Sequence, residues 1–245
     1  MSNFNNAQSS IANLSQAQID EGLRTHMLRV YNYMAAAVAM TGIVSWFSAA
    51  TGLYQSLVFS SGGTTIMFYV ITFAPLALVF YFASKISTMT AARAQSVFWL
   101  FSGLMGLSLS SIYLLYDPNA IFKAFLVTAG AFSSLSLWGY TTKKDLSPMG
   151  AFLVMGLFGL IIASIANIWV GGEQLSFLIS IFGVLIFAGL TAWDTQKIKR
   201  EWLNRVQYSG AVAAEKSAIM GALTLYLDFI NLFLFILRFM GGNRD

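Results

Sequence analysis

The sequence predicts an all-α, polytopic membrane protein with seven transmembrane helices, and three observations carry that expectation. First, 57% of the 245 residues are hydrophobic and only 10% are charged, with a mean hydropathy of +0.69, which leaves too little polar surface to cover a soluble globule of this size. Second, seven apolar runs occupy residues 30–50, 66–84, 95–115, 121–140, 149–170, 175–194 and 218–239, each close to the ~20 residues that a helix needs to cross a bilayer. Third, the connections are short and carry Gly, Pro, Ser or charge, as in Ser60-Ser61-Gly62-Gly63, Asp117-Pro118-Asn119, Lys143-Lys144-Asp145 and Gly171-Gly172-Glu173, so no separate soluble domain fits between them.

Taken in order, residues 1–22 are rich in Ser, Asn, Gln and Ala and lack a basic start joined to an apolar core and cleavage site. They read as a mobile polar tail, with a short helix capped by Ser15, rather than as a signal peptide. Residues 23–241 form the seven-helix domain and 242–245 a short C-terminal tail. The lone His26 precedes the first apolar run and reads as an interfacial residue. The third run carries Ser102, Gly106 and Ser110, and the fifth Gly159, Ala163 and Asn167, stripes at four-residue spacing that let neighbouring backbones approach. Asn167 reads as a mid-membrane amide in need of partners, a polar support within the bundle. The sixth run ends at Asp194, and the seventh holds Asp228 about ten residues inside its apolar stretch.

Sorting the fourteen Lys and Arg by connection sets the orientation. Arg24, Arg29, Lys85, Arg93, Lys143, Lys144, Lys197, Lys199, Arg200, Arg205 and Lys216 fall on one side, and Lys123, Arg238 and Arg244 on the other. Eleven against three predicts a cytoplasmic N terminus and, after seven spans, an external C terminus. The pI near 9.3 is explained by this bias, so no nucleic-acid partner is expected.

Several chemistries are excluded at once. There is no cysteine, hence no disulfide, thiolate metal site or cysteine nucleophile, and a single histidine rules out a His-cluster metal site. A serine protease triad lacks its base within the bundle. Intramembrane aspartyl proteases also place one aspartate on each of two helices, but their second aspartate sits in Gly-x-Gly-Asp, whereas residues 225–228 are Leu-Tyr-Leu-Asp and no Pro-Ala-Leu follows. The chain is not expected to be an enzyme.

Asp228 is the costly residue. A bare carboxylate at that depth costs a few kcal/mol, about 2.5–3.5 on insertion scales, so it must face protein, water or a proton. Ser217, Gly221, Thr224, Asp228 and Asn231 recur every three or four residues and define one inward face. Its expected partner is Asp194 at the end of the preceding run. Two carboxyls that meet away from water share one proton and titrate as a unit. Loss of that proton turns attraction into repulsion, a trigger for separating the last two helices. The same two carboxylates, supported by Thr191, Thr224 and Asn231, offer hard oxygen ligands for weak, transient calcium binding.

The residues that surround this pair resemble those of a known family. Leu225-Tyr226-Leu227-Asp228-Phe229-Ile230-Asn231-Leu232-Phe233 resembles the hallmark of the last helix of the Bax inhibitor-1 family, in the bacterial style. Gly106-Leu107-Ser108-Leu109-Ser110-Ser111-Ile112, the stretch from Leu137 to Ser147, and Leu190-Thr191-Ala192-Trp193-Asp194-Thr195-Gln196-Lys197-Ile198 agree with it, and the match runs from about residue 24 to 241. The resemblance implies a last helix wrapped by the other six. It also implies a calcium leak made pH-sensitive by aspartates that match Asp194 and Asp228. Some members latch this pair with an arginine near the end of the second helix; here Lys85 stands nearest and Arg93 follows, and an ammonium cannot reproduce a bidentate guanidinium fork. The plainer reading of Lys85 is a positive-inside anchor.

The sequence thus leads to a pH-sensitive calcium leak in the cell inner membrane, without a cofactor and with calcium as the transported ion. Its expected partners are the bilayer, calcium and protons. The alternative, also implied by the family, is a non-conducting regulator that binds a membrane-anchored protease or another membrane partner.

Overall fold

A computed structural model describes residues 15–204 and 206–241 of the chain. Seven helices are long and apolar enough to cross a membrane: α1 (Gln16–Ala50), α2 (Ile66–Lys85), α3 (Ala91–Leu109), α4 (Pro118–Thr141), α5 (Ser147–Val170), α6 (Glu173–Asn204) and α7 (Gly210–Met240). The fold class is as the sequence predicts. Residues 1–14 and 242–245, which hold most of the expected tails, lie outside the described residues.

Helix starts are fixed by side chains that satisfy otherwise orphaned backbone amides. Ser15 accepts from the Gln18 amide while Gln18 answers to the Ser15 amide, a complete capping box. The helix that Ser15 opens is not the short one expected. It continues unbroken into the first span, so residues 16–22 belong to α1 and not to a tail. Polar residues such as Arg24 and Arg29 masked that continuity, since they interrupt the apolar pattern without interrupting the helix. Thr90 caps α3, and Asp117 caps α4 with Pro118 in the first turn, where a missing amide costs nothing. At the end of α5, Gly171 takes the left-handed φ of +62° that terminates a helix without a Cβ clash. Between α1 and α2, a short helix (Leu53–Val58) leads into a two-residue antiparallel hairpin of β1 (Phe59–Ser60) and β2 (Gly63–Thr64). A short helix (Ile112–Leu115) extends α3.

The main neighbours of α7 are α6, α1, α4 and α3, while α2 packs on α3 and α5 packs on α6. The expected ring of six around the last helix is therefore met chiefly by four, with α2 and α5 placed further out. Close approach depends on missing side chains at several glycines, two of which meet a neighbouring backbone. A Cβ at Gly106 of α3 would stand 2.8 Å from the Thr41 carbonyl oxygen and from Val44 of α1, and one at Gly139 of α4 would overlap the Ala192 backbone of α6. The buried core runs through α7 as Ile219, Ala222, Leu225, Tyr226, Leu232 and Leu237, all almost inaccessible.

Candidate functional site

The beginning of α1, the α2–α3, α4–α5 and α6–α7 connections and the C-terminal end of α6 gather at one pole of the bundle, here termed the basic end. Cross-links between these parts define it. Gln196 of α6 donates to the Lys144 carbonyl and accepts from the Leu146 amide, Lys199 donates to the Tyr140 carbonyl, and Arg200 pairs with Asp145 at 2.5 Å. Asp145 also accepts from the Ser147 amide at the start of α5. That bond, then the Ser147 hydroxyl and Arg200, hold this exposed carboxyl below the usual carboxylate range.

Helical spacing aims Asp194 and Asp228 at each other. Both are buried, at 6% and 5% exposure, and their carboxyl groups lie close enough across the α6–α7 interface to act on each other's charge. Two carboxyls this close and shut away from water do not readily both carry a charge. Oδ2 of Asp228 is buried and has no hydrogen-bond partner among the described residues. The charged residues that act on the pair are Lys197 and Glu201, one and two turns beyond Asp194, and Lys197 itself lies over the Trp193 ring at 5.2 Å.

A cavity of about 320 Å³ reaches Asp194 from the basic end, with Ser87, Lys197, Glu201, Lys216 and Thr224 among its lining residues. Lys216, near the start of α7, donates to the carbonyl oxygens of Ser87 (2.9 Å) and Met89 (3.2 Å) and so ties the α2–α3 connection across this cavity. Among the described residues no group of three or more His, Cys, Asp or Glu is arranged to hold a metal ion. The site's carboxylates and neutral oxygens are the hard ligands a divalent cation would take, and a set this sparse would suit weak rather than tight binding.

The other expected residues divide. Thr224 lines the cavity, with its hydroxyl on the Met220 carbonyl at 3.1 Å. Thr191 is fully buried and donates to Phe187, and Asn231 donates to Leu227, so both spend their donors on the turn behind them. Asn167 is not mid-membrane. It lies three residues from the end of α5 and bridges to the Ser176 hydroxyl at the start of α6, at 2.8 Å. Lys85 is exposed at the end of α2, and Arg93 donates to the Tyr81 hydroxyl at 3.2 Å.

Four features were not read from the sequence. Tyr31, Ser136 and Thr195 form a chain of hydroxyls, at 2.7 and 2.8 Å, that joins α1, α4 and α6 beside Asp194. Thr41 binds both the Tyr226 hydroxyl (2.8 Å) and the Ser102 carbonyl (2.9 Å), joining α1, α7 and α3. In the sequence Lys216 reads only as a loop charge. His26 is buried within the protein: it is 5% exposed, with its ring centroid 6.2 Å from that of Trp202. Each depends on residues far apart in the chain, for which a single sequence holds no pairing signal.

Comparison with known proteins accords with this geometry. Residues 23–245 match the family model described as inhibitor of apoptosis-promoting Bax1. The chain is 44% identical over 227 residues to a protein of Rickettsia prowazekii, covering 92% of this chain and 93% of that one. It is 41% identical over 223 residues to the inner membrane protein YbhL of Escherichia coli K12 (91% and 94% covered), and 39% identical over 252 residues to a full-length counterpart in Caulobacter vibrioides (100% of both). With a family model that spans nine-tenths of the chain and the paired aspartates on its last two helices, this multi-pass membrane protein belongs to the Bax inhibitor-1 family.

Proposed function

We propose that the chain is a pH-sensitive calcium leak of the inner membrane, with its basic end in the cytoplasm and the Asp194–Asp228 pair as the proton-operated gate. The observation that carries this reading is a pair of buried carboxyls that act on each other across the α6–α7 interface, one of them lining a cavity open to the basic end. Helix packing alone gives no reason for such an arrangement, since two apolar side chains would join α6 and α7 at lower cost. With the proton shared, α6 and α7 are held together; without it, two negative charges face each other, the interface loosens and the same charges attract a divalent cation. Flux should therefore rise as pH rises through the titration of the pair. The excess of Lys and Arg at the basic end supports the orientation, and the similarity to YbhL, named as an inner membrane protein, supports the location.

The test is calcium uptake into liposomes that contain the purified protein, from about pH 6 to 8, beside Asp194→Asn and Asp228→Asn. Each variant keeps the side-chain shape and removes one titrating group, so the expected result is flux that no longer follows pH. Wild-type pH dependence in Asp228→Asn would refute the gate.

One observation favours a second reading, a regulator that docks another membrane protein. Gly159 of α5 meets nothing within 4 Å and lines an apolar groove against α6, with Gly156, Ala163 and Phe182. Gly106, by contrast, is filled by α1 and has no surface to offer. Under this reading Gly159→Leu abolishes regulation while both aspartates can be replaced without effect.

A further inference from the structure

The carboxyl pair is one layer of a longer seam between α6 and α7. Because α6 ends and α7 begins at the basic end, the two helices run antiparallel, and equal steps away from Asp194 and Asp228 reach matched positions. Three residues on, this register places Thr191 with Asn231. Seven residues on, about 10 Å further from the basic end at 1.5 Å per residue, it places Phe187 with Phe235. Those two rings do meet: they are stacked, with centroids 5.7 Å apart and planes 23° apart. Phe187 is buried and Phe235 half-buried. One turn before Phe187, Gly183 leaves the recess in which Phe235 sits, since a Cβ there would overlap the ring. Beyond the rings the same face of α6 returns to a hydroxyl, Ser180, which is buried and donates to the Ser176 carbonyl at 2.9 Å. An aromatic layer thus interrupts a file of polar positions.

We propose that Phe187 and Phe235 form an apolar gate in series with the carboxyl pair, closing the α6–α7 seam on the side away from the basic end. The inference rests on the calcium-leak reading and adds a second barrier to it. A cation that enters from the basic end finds oxygen at Asp194, Asp228, Thr191 and Asn231, and then meets two rings that offer none. Such a constriction excludes water until it widens. Loss of the shared proton is therefore not sufficient for conduction: α7 must also shift so that Phe235 leaves the recess at Gly183. Plain packing is the competing account, and it gives the rings no part in permeation. Phe229 supplies the comparison, because it is packed as closely, against Phe125 and Phe132 at 5.8 and 5.5 Å, but on the α4 side of α7 and off the seam.

The chain has no cysteine, so Thr191→Cys places a single thiol between the carboxyl and aromatic layers. The full-length protein in liposomes is exposed to a charged methanethiosulfonate at about pH 6, the closed condition of the carboxyl gate, and labelling is followed by mass spectrometry. The thiol should be shielded in Thr191→Cys alone. It should react about tenfold faster once Phe187→Ala or Phe235→Ala is added, and stay shielded with Phe229→Ala. The two seam variants are independent, so misfolding of one leaves the other to decide. In the second measurement, calcium uptake by Phe235→Ala with Thr191 intact should rise about tenfold over wild type at about pH 8, with the midpoint of the pH dependence unchanged, because the barrier removed carries no charge. The gate is overturned by a thiol that is labelled in Thr191→Cys alone, by one still shielded in both seam variants, by equal labelling with Phe229→Ala, or by unchanged uptake in Phe235→Ala when the wild type conducts. Absence of calcium uptake by the wild type refutes the leak reading instead, and the labelling, which needs no calcium, is judged apart from it.

Discussion

Helices α5 and α7 are both almost wholly apolar, yet 11% of the spanning window of one is buried and 67% of the other. The difference teaches that hydropathy does not report depth in a membrane bundle, since lipid and protein interior are equally apolar surroundings. What separates the two is the polar content that each must hide. α5 exposes Phe152, Met155, Phe158, Ile162 and Ile168 without cost, whereas α7 has to place Asp228, Thr224 and Asn231 against protein.

The largest expected effect that sharpens this contrast comes from glycine substitution on either side of α6. Gly183 faces α7, where a new Cβ would overlap the Phe235 ring, while Gly159 of α5 faces open space. Gly183→Leu should lower stability by about 1–3 kcal/mol and Gly159→Leu by almost nothing. Thermal unfolding in detergent, followed by tryptophan fluorescence, checks both; equal shifts would mean that α5 is as enclosed as α7. A smaller effect is expected for Tyr226→Phe, which removes the Thr41 hydrogen bond from the α7 core at a cost of about 0.6–1 kcal/mol while keeping the ring on Phe101. No change in unfolding temperature would show that the α1–α7 contact rests on packing alone.

The smallest effect lies at the rim, where α5 begins. The folded-state pKa of Asp145 is depressed by the Ser147 amide and hydroxyl and by Arg200. Its contribution is therefore present above the ordinary carboxylate range and lost as pH falls through the folded-state value. Amide hydrogen exchange should show Ser147 losing protection in that acid range and retaining it in neutral buffer, with little change along α7. Asp145→Asn should remove the pH dependence at this position only.

These contrasts also mark what was legible in the sequence. Spans could be read because twenty apolar residues have few other uses, and Asp194 and Asp228 because a carboxyl at that depth demands a partner. The inward face of α7 followed from helical spacing alone. The outer position of α2 and α5 was not legible, because no polar residue distinguishes their two sides. The lengths of α1 and α6 were missed for the opposite reason. Their basic ends carry Arg24, Arg29, Lys197 and Arg200, which look like loop residues in a hydropathy pattern yet continue a helix. Lys216, His26 and the Tyr31, Ser136 and Thr195 hydroxyls act through residues dozens of positions away. For His26 the only available hint was its four-residue spacing from Gly22, and a Cβ at that glycine would stand 2.8 Å from Trp202.

The extra length of α6 has a mechanical consequence. The helix continues ten residues beyond Asp194 to Asn204, about 15 Å at 1.5 Å per residue. Under the proposed gate it would act as a lever with its fulcrum near the carboxyls. A tilt of about 10° at that fulcrum displaces the tip by about 2.6 Å over the same length. Trp202 near the tip is seated against Gly22, so such a stroke would be delivered to the opening turns of α1, well away from the carboxyls.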